Sequence, residues 1–255
     1  MTAIRSSDNP RVKRWAKLAS DPRFRKSERR VLIEGPHLVA EALQAGLQPL
    51  ALIVSESGLK KTEIKRLIGE LEPVVLGDRV FGIVADAETP PGIAAEIEVP
   101  RISQEPGGPA VFLEGLQDPA NVGAILRSAA AFGVGEVILD RGCADPWSPK
   151  VLRAAIGAHF KLALQQVADL EKSVVGFEGT TVCTVSSGGT PVGSLKLQGR
   201  VGWIFGSEGR GVSPGVAAKA KLKGTIRMTP ASESLNVAAA AAICLYETYS
   251  RAAAQ

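Results

Sequence analysis

The sequence has few of the residues that build disulfide frameworks, metal centres or membrane spans. Its 255 residues include only three cysteines and two histidines. Cys143, Cys183 and Cys244 are far apart and set among apolar or small residues, which predicts reduced thiols in or near the core. With so few histidines and no close carboxylate cluster, no metal site is predicted. The charged N-terminus and the lack of long apolar runs predict a cytoplasmic protein with no membrane segment.

Positive charge is concentrated at the N-terminus. Residues 1–30 hold ten Lys or Arg against three Asp or Glu, whereas the whole chain has a net charge of +4. Such segregation is typical of a surface that binds phosphates, because each neutralised phosphate releases counterions. A solvated helix face is the alternative. The candidate contacts are Arg5, Arg11, Lys13, Arg14, Arg23, Arg25 and Lys26.

The N-terminal half alternates helix and strand patterns. Residues 11–19 place Val12, Trp15, Ala16 and Ala19 at helical spacing with cations between them, which predicts an amphipathic helix with a basic outer face. Strands are predicted at 31–34, 50–54 and 74–76, and helices at 36–45 and 60–71. The alternation predicts an α/β sandwich of about a hundred residues.

A linker is predicted at residues 100–109, which contain three prolines and two glycines. It separates a domain of residues 1–99 from one of residues 110–255. In the second domain, apolar runs at 110–113, 136–139, 180–185 and 201–205 alternate with helical patterns, as expected for a mostly parallel sheet covered on both faces. The common nucleotide-binding loops are absent, because no Gly-Lys-Ser or Gly-Lys-Thr follows a Gly-rich loop and no dinucleotide fingerprint follows a strand.

Three segments of the C-terminal half combine Gly, Asn, Ser and charged residues beside apolar strands. They span residues 121–130, 204–213 and 226–237, and the last includes Ile226-Arg227-Met228 and Ser234-Leu235-Asn236. Glycines at the carboxyl end of a strand allow the backbone to approach a ligand, and α/β sheets bind ligands at that end. A tight turn that needs glycine for its own geometry is the alternative.

In order and spacing, these segments resemble the three motifs of the SpoU family of RNA ribose methyltransferases. Upstream, residues 4–13, 34–39 and 89–93 resemble the substrate-binding domain that precedes the catalytic domain in many members. The resemblance implies an N-terminal α/β substrate-binding domain and a C-terminal SPOUT domain with a parallel sheet and a deep trefoil knot. It also implies a homodimer formed through the C-terminal domain.

The function implied by the resemblance is methylation of a ribose 2′-hydroxyl in RNA, with S-adenosyl-L-methionine as methyl donor. Ribosomal RNA is the favoured substrate because of the added N-terminal domain, whose basic residues become the predicted RNA contacts. A transfer RNA 2′-O-methyltransferase and a non-catalytic RNA-binding or ribosome-assembly factor of the same fold are the alternatives.

The resemblance also implies the site residues. Main-chain groups near Gly206, Ile226 and Leu235 are predicted to hold the methyl donor, and the predicted catalytic residues are Asn121, Arg127, Glu208, Ser234 and Asn236. Arg127 is expected to act electrostatically or to orient a phosphate, since a guanidinium is almost never deprotonated. The proton acceptor is left open, with Glu208 a candidate either for that role or for orienting Arg127. For Asn121 and Ser234, capping a helix start is the alternative.

The third motif departs from the family pattern at two positions. Arg227 stands in place of the usual proline, and Pro230 occupies the usual glycine position. The loop backbone is therefore expected to follow a different path, and Arg227 adds positive charge near the site. His159 lies in a helix-to-strand passage that lacks a catalytic histidine in the family, so it is not interpreted as a general base.

Overall fold

The computed structural model describes residues 2–101, 108–229 and 234–253. The chain forms two compact units: Met1–Arg101 with Trp147–Phe160, and Ile102–Pro146 with Lys161–Gln255. The segment 147–160 therefore belongs to the first unit, although the flanking sequence belongs to the second. Most of the predicted linker lies outside the described residues, and the predicted domain bounds stay a prediction.

Helices and strands alternate along both units. In chain order the helices are α1 (Pro10–Ser20), α2 (Pro22–Glu28), α3 (Pro36–Gln44), α4 (Thr62–Ile68), α5 (Asp78–Val84), α6 (Pro119–Ala131), α7 (Pro149–Ala155), α8 (Leu170–Val175), α9 (Pro214–Lys219) and α10 (Val237–Ala253). The strands are β1 (Arg30–Glu34), β2 (Ala51–Ser55), β3 (Val74–Leu76), β4 (Ile93–Glu98), β5 (Ala110–Glu114), β6 (Glu136–Asp140), β7 (Ala163–Val167), β8 (Thr180–Thr184), β9 (Thr190–Pro191), β10 (Val201–Gly206) and β11 (Leu222–Thr225).

The first unit is built on a mixed sheet of four strands in the order β1-β4-β2-β3. Strand β4 runs antiparallel to β1 and β2, and β2 runs parallel to β3. Successive side chains of a strand point to opposite faces, so Val31 and Ile33 of β1 join one core cluster and Leu32 joins the other. Helices cover both faces, and the predicted α/β sandwich is confirmed.

Segment 147–160 completes the core of the first unit. Leu152 of α7 is buried in the cluster that contains Val31 and Ile33, and Trp147 and Phe160 pack against the same cluster. Arg153 of α7 also donates a hydrogen bond of 2.6 Å to the carboxylate of Asp86. His159 is fully buried in this segment, with its ring 4.9 Å from that of Trp147. This buried position agrees with the interpretation that His159 is not a general base.

The second unit is built on seven parallel strands in the order β7-β6-β5-β10-β8-β11-β9. The four predicted apolar runs form β5, β6, β8 and β10, and every residue of β10 is buried. The predicted parallel sheet is thus confirmed. Cys183 lies fully buried on β8 and Cys244 on α10, as predicted, and burial raises the pKa of each thiol, to about 11 and about 12. The trefoil knot stays a prediction, because residues 230–233 lie outside the described residues.

None of the described helices is long and apolar enough to cross a membrane.

Candidate active site and RNA-binding surface

A cleft opens at the carboxyl ends of three neighbouring strands in the second unit. It has a volume of about 140 Å³ and is formed by the segments that follow β8, β10 and β11, together with the start of α10. Its lining comprises Thr184, Val185, Ser186, Phe205, Gly206, Ser207, Glu208, Gly224, Ile226, Met228, Ser234, Leu235, Val237 and Ala240. The carboxyl end is where open parallel sheets bind ligands.

All three predicted donor-binding residues, Gly206, Ile226 and Leu235, line this cleft, as do Glu208 and Ser234. The sequence interpretation missed the wall formed by Thr184, Val185 and Ser186. These residues lie at and just after the carboxyl end of β8, so the rule that ligands bind at the carboxyl ends of parallel strands could have identified them. Pro230 lies outside the described residues.

The loop after β10 is held closed on itself. A Cβ atom added to Gly206 would lie 2.1 Å from the carbonyl carbon of Gly211, so only glycine fits at this position. Gly211 has a positive φ of 66° and donates from its amide to the carbonyl of Ser207 at 2.8 Å. The far end of the loop is fixed by Ser213, whose amide donates to Glu114 at 2.7 Å. Residues 208–210 therefore form the tip of a loop whose two ends are held by hydrogen bonds.

Asn121 connects two of the three motifs. Its side-chain amide donates to Oε1 of Glu208, and its Oδ1 accepts a hydrogen bond of 2.9 Å from Nδ2 of Asn236. Asn121 is nine-tenths buried in the first turn of α6. The capping alternative for this residue is wrong, because Asp118 caps α6 by accepting from the amide of Ala120.

Asn236 caps α10. Its Oδ1 accepts hydrogen bonds from the amides of Ala238 and Ala239 at 2.9 and 3.2 Å. The alternative that Ser234 caps this helix is therefore wrong, and Ser234 lies exposed in the cleft lining. Since Asn236 also donates to Asn121, the start of α10 is bonded to the start of α6.

Arg127 lies apart from this hydrogen-bonded group. It is exposed on α6, and among the described residues it has no hydrogen bond or ion pair. It lies six positions after Asn121, which is about 9 Å along a helix axis. Glu208 is bonded to Asn121. The suggestion that Glu208 orients Arg127 is therefore not supported within one chain.

The predicted RNA contacts of the first unit differ in availability. Arg11, Arg23 and Lys26 are exposed, and the guanidinium of Arg11 lies over the ring of Trp15. Arg5 and Lys13 are 74% and 64% exposed and pair with Glu56 and Asp8. Such surface pairs contribute little stability, so both cations can exchange partners with phosphates.

The guanidinium of Arg14 is largely occupied by ion pairs within the protein. It forms ion pairs with Glu28 at 2.6 Å and with Glu96 at 3.0 Å. Glu96 also accepts a hydrogen bond of 2.8 Å from the indole of Trp15. Glu96 is buried on β4, so this network fixes α1 to the sheet.

Arg25 is a wrong prediction as an RNA contact. Only 5% of the residue is exposed, and its guanidinium donates to the carbonyl oxygens of Leu18 and Ala19 at 2.6 and 3.0 Å. These carbonyls lie in the last turn of α1, where a helix leaves its acceptors unsatisfied. Arg25 therefore fastens α2 to the end of α1.

Comparison with known proteins decides the family. Residues 108–246 match the model described as the SpoU rRNA Methylase family, and residues 9–95 match the MRM3-like substrate binding domain. The chain belongs to the SpoU rRNA methylase family. The 23S rRNA (guanosine(2553)-2′-O)-methyltransferase RlmP of Bacillus subtilis is 32% identical over 96% of this chain and 98% of its own. The mitochondrial rRNA methyltransferase 3 of Homo sapiens is 36% identical over 55% of this chain and 36% of its own.

Solved structures agree with the SpoU assignment. The crystal structure of an RNA 2′-O ribose methyltransferase has a TM-score of 0.83 at 29% identity, over all of both chains. The SpoU methyltransferase AviRb from Streptomyces viridochromogenes, in complex with AdoMet, has a TM-score of 0.85 at 23% identity over 96% of this chain and 98% of its own, and shares the fold. The predicted family, enzyme class and methyl donor are confirmed, and so is the fold class apart from the knot: the chain is an S-adenosylmethionine-dependent RNA 2′-O-methyltransferase.

Proposed function

We propose that this SpoU methyltransferase modifies a ribose 2′-hydroxyl of ribosomal RNA, with donor and acceptor meeting at the cleft of the second unit. The observation that carries the proposal is the cleft itself, which gathers residues of the second and third motifs. The hydrogen bonds of Asn121 join the first motif to both.

The cleft fits S-adenosylmethionine. Ile226, Met228 and Leu235 offer an apolar surface for the adenosine, and the missing Cβ of Gly206 allows the backbone of Gly211 to pack directly against this end of the cleft. Bound there, the donor supplies an electrophilic methyl group on a sulfonium. The chain's own residues hold it by main-chain hydrogen bonds and apolar contact, and exclude water from one side of the cleft.

The residues of the first motif act on the RNA. A ribose 2′-hydroxyl is a weak nucleophile at neutral pH, so the enzyme must accept its proton or stabilise the developing oxyanion. The guanidinium of Arg127, which is exposed and unpaired among the described residues, supplies that stabilisation or orients the adjoining phosphate. Asn121 positions Glu208 at the mouth of the cleft, where Glu208 is the candidate proton acceptor.

The basic surface of the first unit supplies RNA affinity. Arg11, Arg23 and Lys26 are the primary contacts because they are exposed and form no ion pair within the described residues. Arg5 and Lys13 add to them by releasing weak surface partners. Since phosphate contacts carry no sequence information, this surface positions the RNA and leaves the choice of nucleotide to other contacts.

A homodimer formed through α10 completes the proposal. This helix exposes Ile243, Tyr246 and Tyr249, the two tyrosines by 56% and 50%. Both tyrosine rings contact Phe132 at centroid distances of 5.8 and 5.9 Å, which forms one aromatic surface. Aromatic residues are enriched in subunit interfaces, and most soluble oligomers are symmetric dimers.

Ribosomal RNA is favoured over transfer RNA because one relative that matches nearly all of the chain is named as a 23S rRNA methyltransferase, although a second such relative is named only as a tRNA/rRNA methyltransferase. The same relative is the support for proposing a cytoplasmic location, with bacterial ribosomes. Mapping 2′-O-methylation across total RNA from cells with and without the protein tests the substrate. A lost methyl group in ribosomal RNA supports the proposal, and a lost methyl group in transfer RNA alone overturns it.

A further inference from the structure

Two further arginines border the cleft of the second unit. Arg210 lies in the turn after β10, two residues from the cleft residue Glu208. Arg227 lies between Ile226 and Met228, which both line the cleft. Both arginines are exposed, and neither forms a hydrogen bond or ion pair within the ranges that the structure describes.

Other arginines of this unit are used for structure. Arg200 donates to the carbonyl of Gly108 at 2.7 Å and pairs with Glu136. Arg251 bonds Glu247 and the carbonyl of Val192 at 2.8 and 3.0 Å. Arg210 and Arg227 have no comparable role in the fold, so their donors are available to a ligand.

The base of Arg210 is fixed by its surroundings. The turn that carries it is closed by the hydrogen bond from the amide of Gly211 to the carbonyl of Ser207. The carboxylate of Glu208, two residues before Arg210, accepts a hydrogen bond from Asn121. An arginine on a fixed turn loses less conformational freedom when it binds than one on a mobile loop. A planar guanidinium also matches phosphate geometry with two parallel hydrogen bonds.

We propose that Arg210 and Arg227 bind phosphate groups of the RNA strand at the mouth of the cleft and thereby position the target ribose. This inference depends on the proposed function, since it assigns two contacts to the same RNA. It also gives a role to Arg227, which replaces the family's usual proline. The two arginines lie on the loops after β10 and β11, on either side of strand β8 in the sheet order, so the strand of RNA would be held from two loops.

The test uses the full-length protein with Arg210→Gln, Arg227→Gln and the double variant. Lys196→Gln is the matched control, because Lys196 is exposed, has no partner in the described part of the chain and is not in the cleft lining. The probe is 23S ribosomal RNA transcribed in vitro, which carries no methyl groups. Affinity is measured over a range of salt concentrations, and S-adenosylmethionine binding is measured by calorimetry.

Each arginine variant should weaken RNA binding about fivefold at about 0.1 M salt. It should also make the negative slope of log K against log salt shallower by about 0.7, the value for one single-stranded phosphate contact. In the double variant the two losses of affinity should multiply and the two changes in slope should add. S-adenosylmethionine binding by the arginine variants should match that of the wild type, and so should RNA binding by Lys196→Gln. Unchanged RNA affinity in the arginine variants overturns the inference, and a selective loss of donor affinity reassigns the arginines to the donor carboxylate. Failure of the wild type to bind or methylate the RNA would instead refute the proposed function.

Discussion

Asn236 donates a hydrogen bond of 2.9 Å to Asn121, a residue 115 positions earlier in the chain. Through the second bond of Asn121, to Glu208, one buried amide unites residues from all three motifs. Asn236 caps α10 with the oxygen of the same amide whose nitrogen bonds Asn121. The helix start, the loop after β10 and the start of α6 are therefore one hydrogen-bonded unit.

The first prediction concerns Asn121→Asp. An aspartate cannot donate to Glu208, and it places two carboxylates side by side, so one of them must take up a proton or move away. Loss of a hydrogen bond to a charged group costs about 1.5–3 kcal/mol, which corresponds to a loss of about tenfold to a hundredfold in turnover if it is expressed in the transition state. Steady-state methylation at several pH values provides the measurement.

Acid should partly restore the activity of Asn121→Asp, because one proton shared between the carboxylates recreates the missing bond. Asn121→Ala, which introduces no charge, is the control and should show no such recovery relative to the wild type. Identical pH profiles for the two variants would show that Asn121 does not act through Glu208.

The second prediction concerns Arg127→Ala. Because the donor sulfonium is itself cationic, the guanidinium should act on the RNA and leave donor binding nearly unchanged. Turnover should fall by roughly two to three powers of ten, the effect of removing a positioned electrostatic stabiliser. Arg127→Lys should restore little, since an ammonium cannot reproduce the planar fork.

Single-turnover methylation with saturating donor and RNA measures the Arg127 effect, alongside calorimetric binding of S-adenosylmethionine. A near-normal rate for Arg127→Ala would remove Arg127 from the catalytic residues. A large loss of donor affinity would assign it to the donor site.

The third prediction compares two glycines of the loop after β10. A methyl group at Gly206 would lie 2.1 Å from the backbone of Gly211, whereas one at Gly209 would meet nothing within 4 Å. Gly206→Ala should therefore open the loop, weaken donor binding and reduce the free energy of unfolding by about 1–3 kcal/mol. Gly209→Ala should resemble the wild type in calorimetry and thermal unfolding. Equal behaviour of the two variants would contradict the close packing of this loop.

The fourth prediction concerns the pH dependence of stability. Glu34 is buried at the end of β1, and burial raises its pKa above the ordinary value of 4.5. The folded protein therefore binds this proton more tightly than the unfolded chain does. The contribution of protonated Glu34 to the free energy of unfolding is fully present below the ordinary pKa, and it is lost as the pH rises through the raised pKa of the folded protein.

Glu34→Gln removes this titration. The free energy of unfolding of the wild type minus that of the variant should consequently decrease between about pH 4 and about pH 7. Urea denaturation at both pH values measures the difference. A difference that grows with pH would mean that the partner Arg153, 3.8 Å from the carboxylate, outweighs burial.

The fifth prediction concerns the aromatic surface of α10. Tyr246→Glu places a charge within the proposed interface and should convert a dimer into a monomer at micromolar concentration, as measured by light scattering. Val175→Glu is the matched control, since Val175 is an apolar side chain on α8 with 65% exposure. A monomeric wild type would contradict the proposed dimer directly.

The sequence predicted elements whose periodicity is local. Helix α1 and the buried strands β5, β6, β8 and β10 follow from side-chain spacing, and their positions are confirmed. Strand β4 escaped prediction, although it is central in its sheet, because Ala94 and Ala95 give it a weak apolar signal. Arg25 was misassigned because spacing along α2 does not reveal that this helix turns back to the end of α1.

The site shows the same division between local and long-range information. Motifs identified Asn121, Glu208 and Asn236, but the bonds among them depend on strand register, which pairs Gly206 with Glu114 and so sets the loops after β5 and β10 side by side. The placement of segment 147–160 in the first unit depends on the burial of Leu152, which looks like any other apolar residue in the sequence. Neither fact is encoded within a short stretch of chain.

Locating the transferred methyl group shows whether this chain methylates a ribose of ribosomal RNA. The purified full-length protein is incubated with isotopically labelled S-adenosylmethionine and 23S ribosomal RNA transcribed in vitro, and the RNA is digested to nucleosides for mass spectrometry. We expect the label on the ribose 2′-oxygen of one nucleoside, and its loss in Arg127→Ala. Label on a base, or no transfer under conditions where calorimetry shows both donor and RNA bound, would mean that the chain does not methylate a ribose of this RNA.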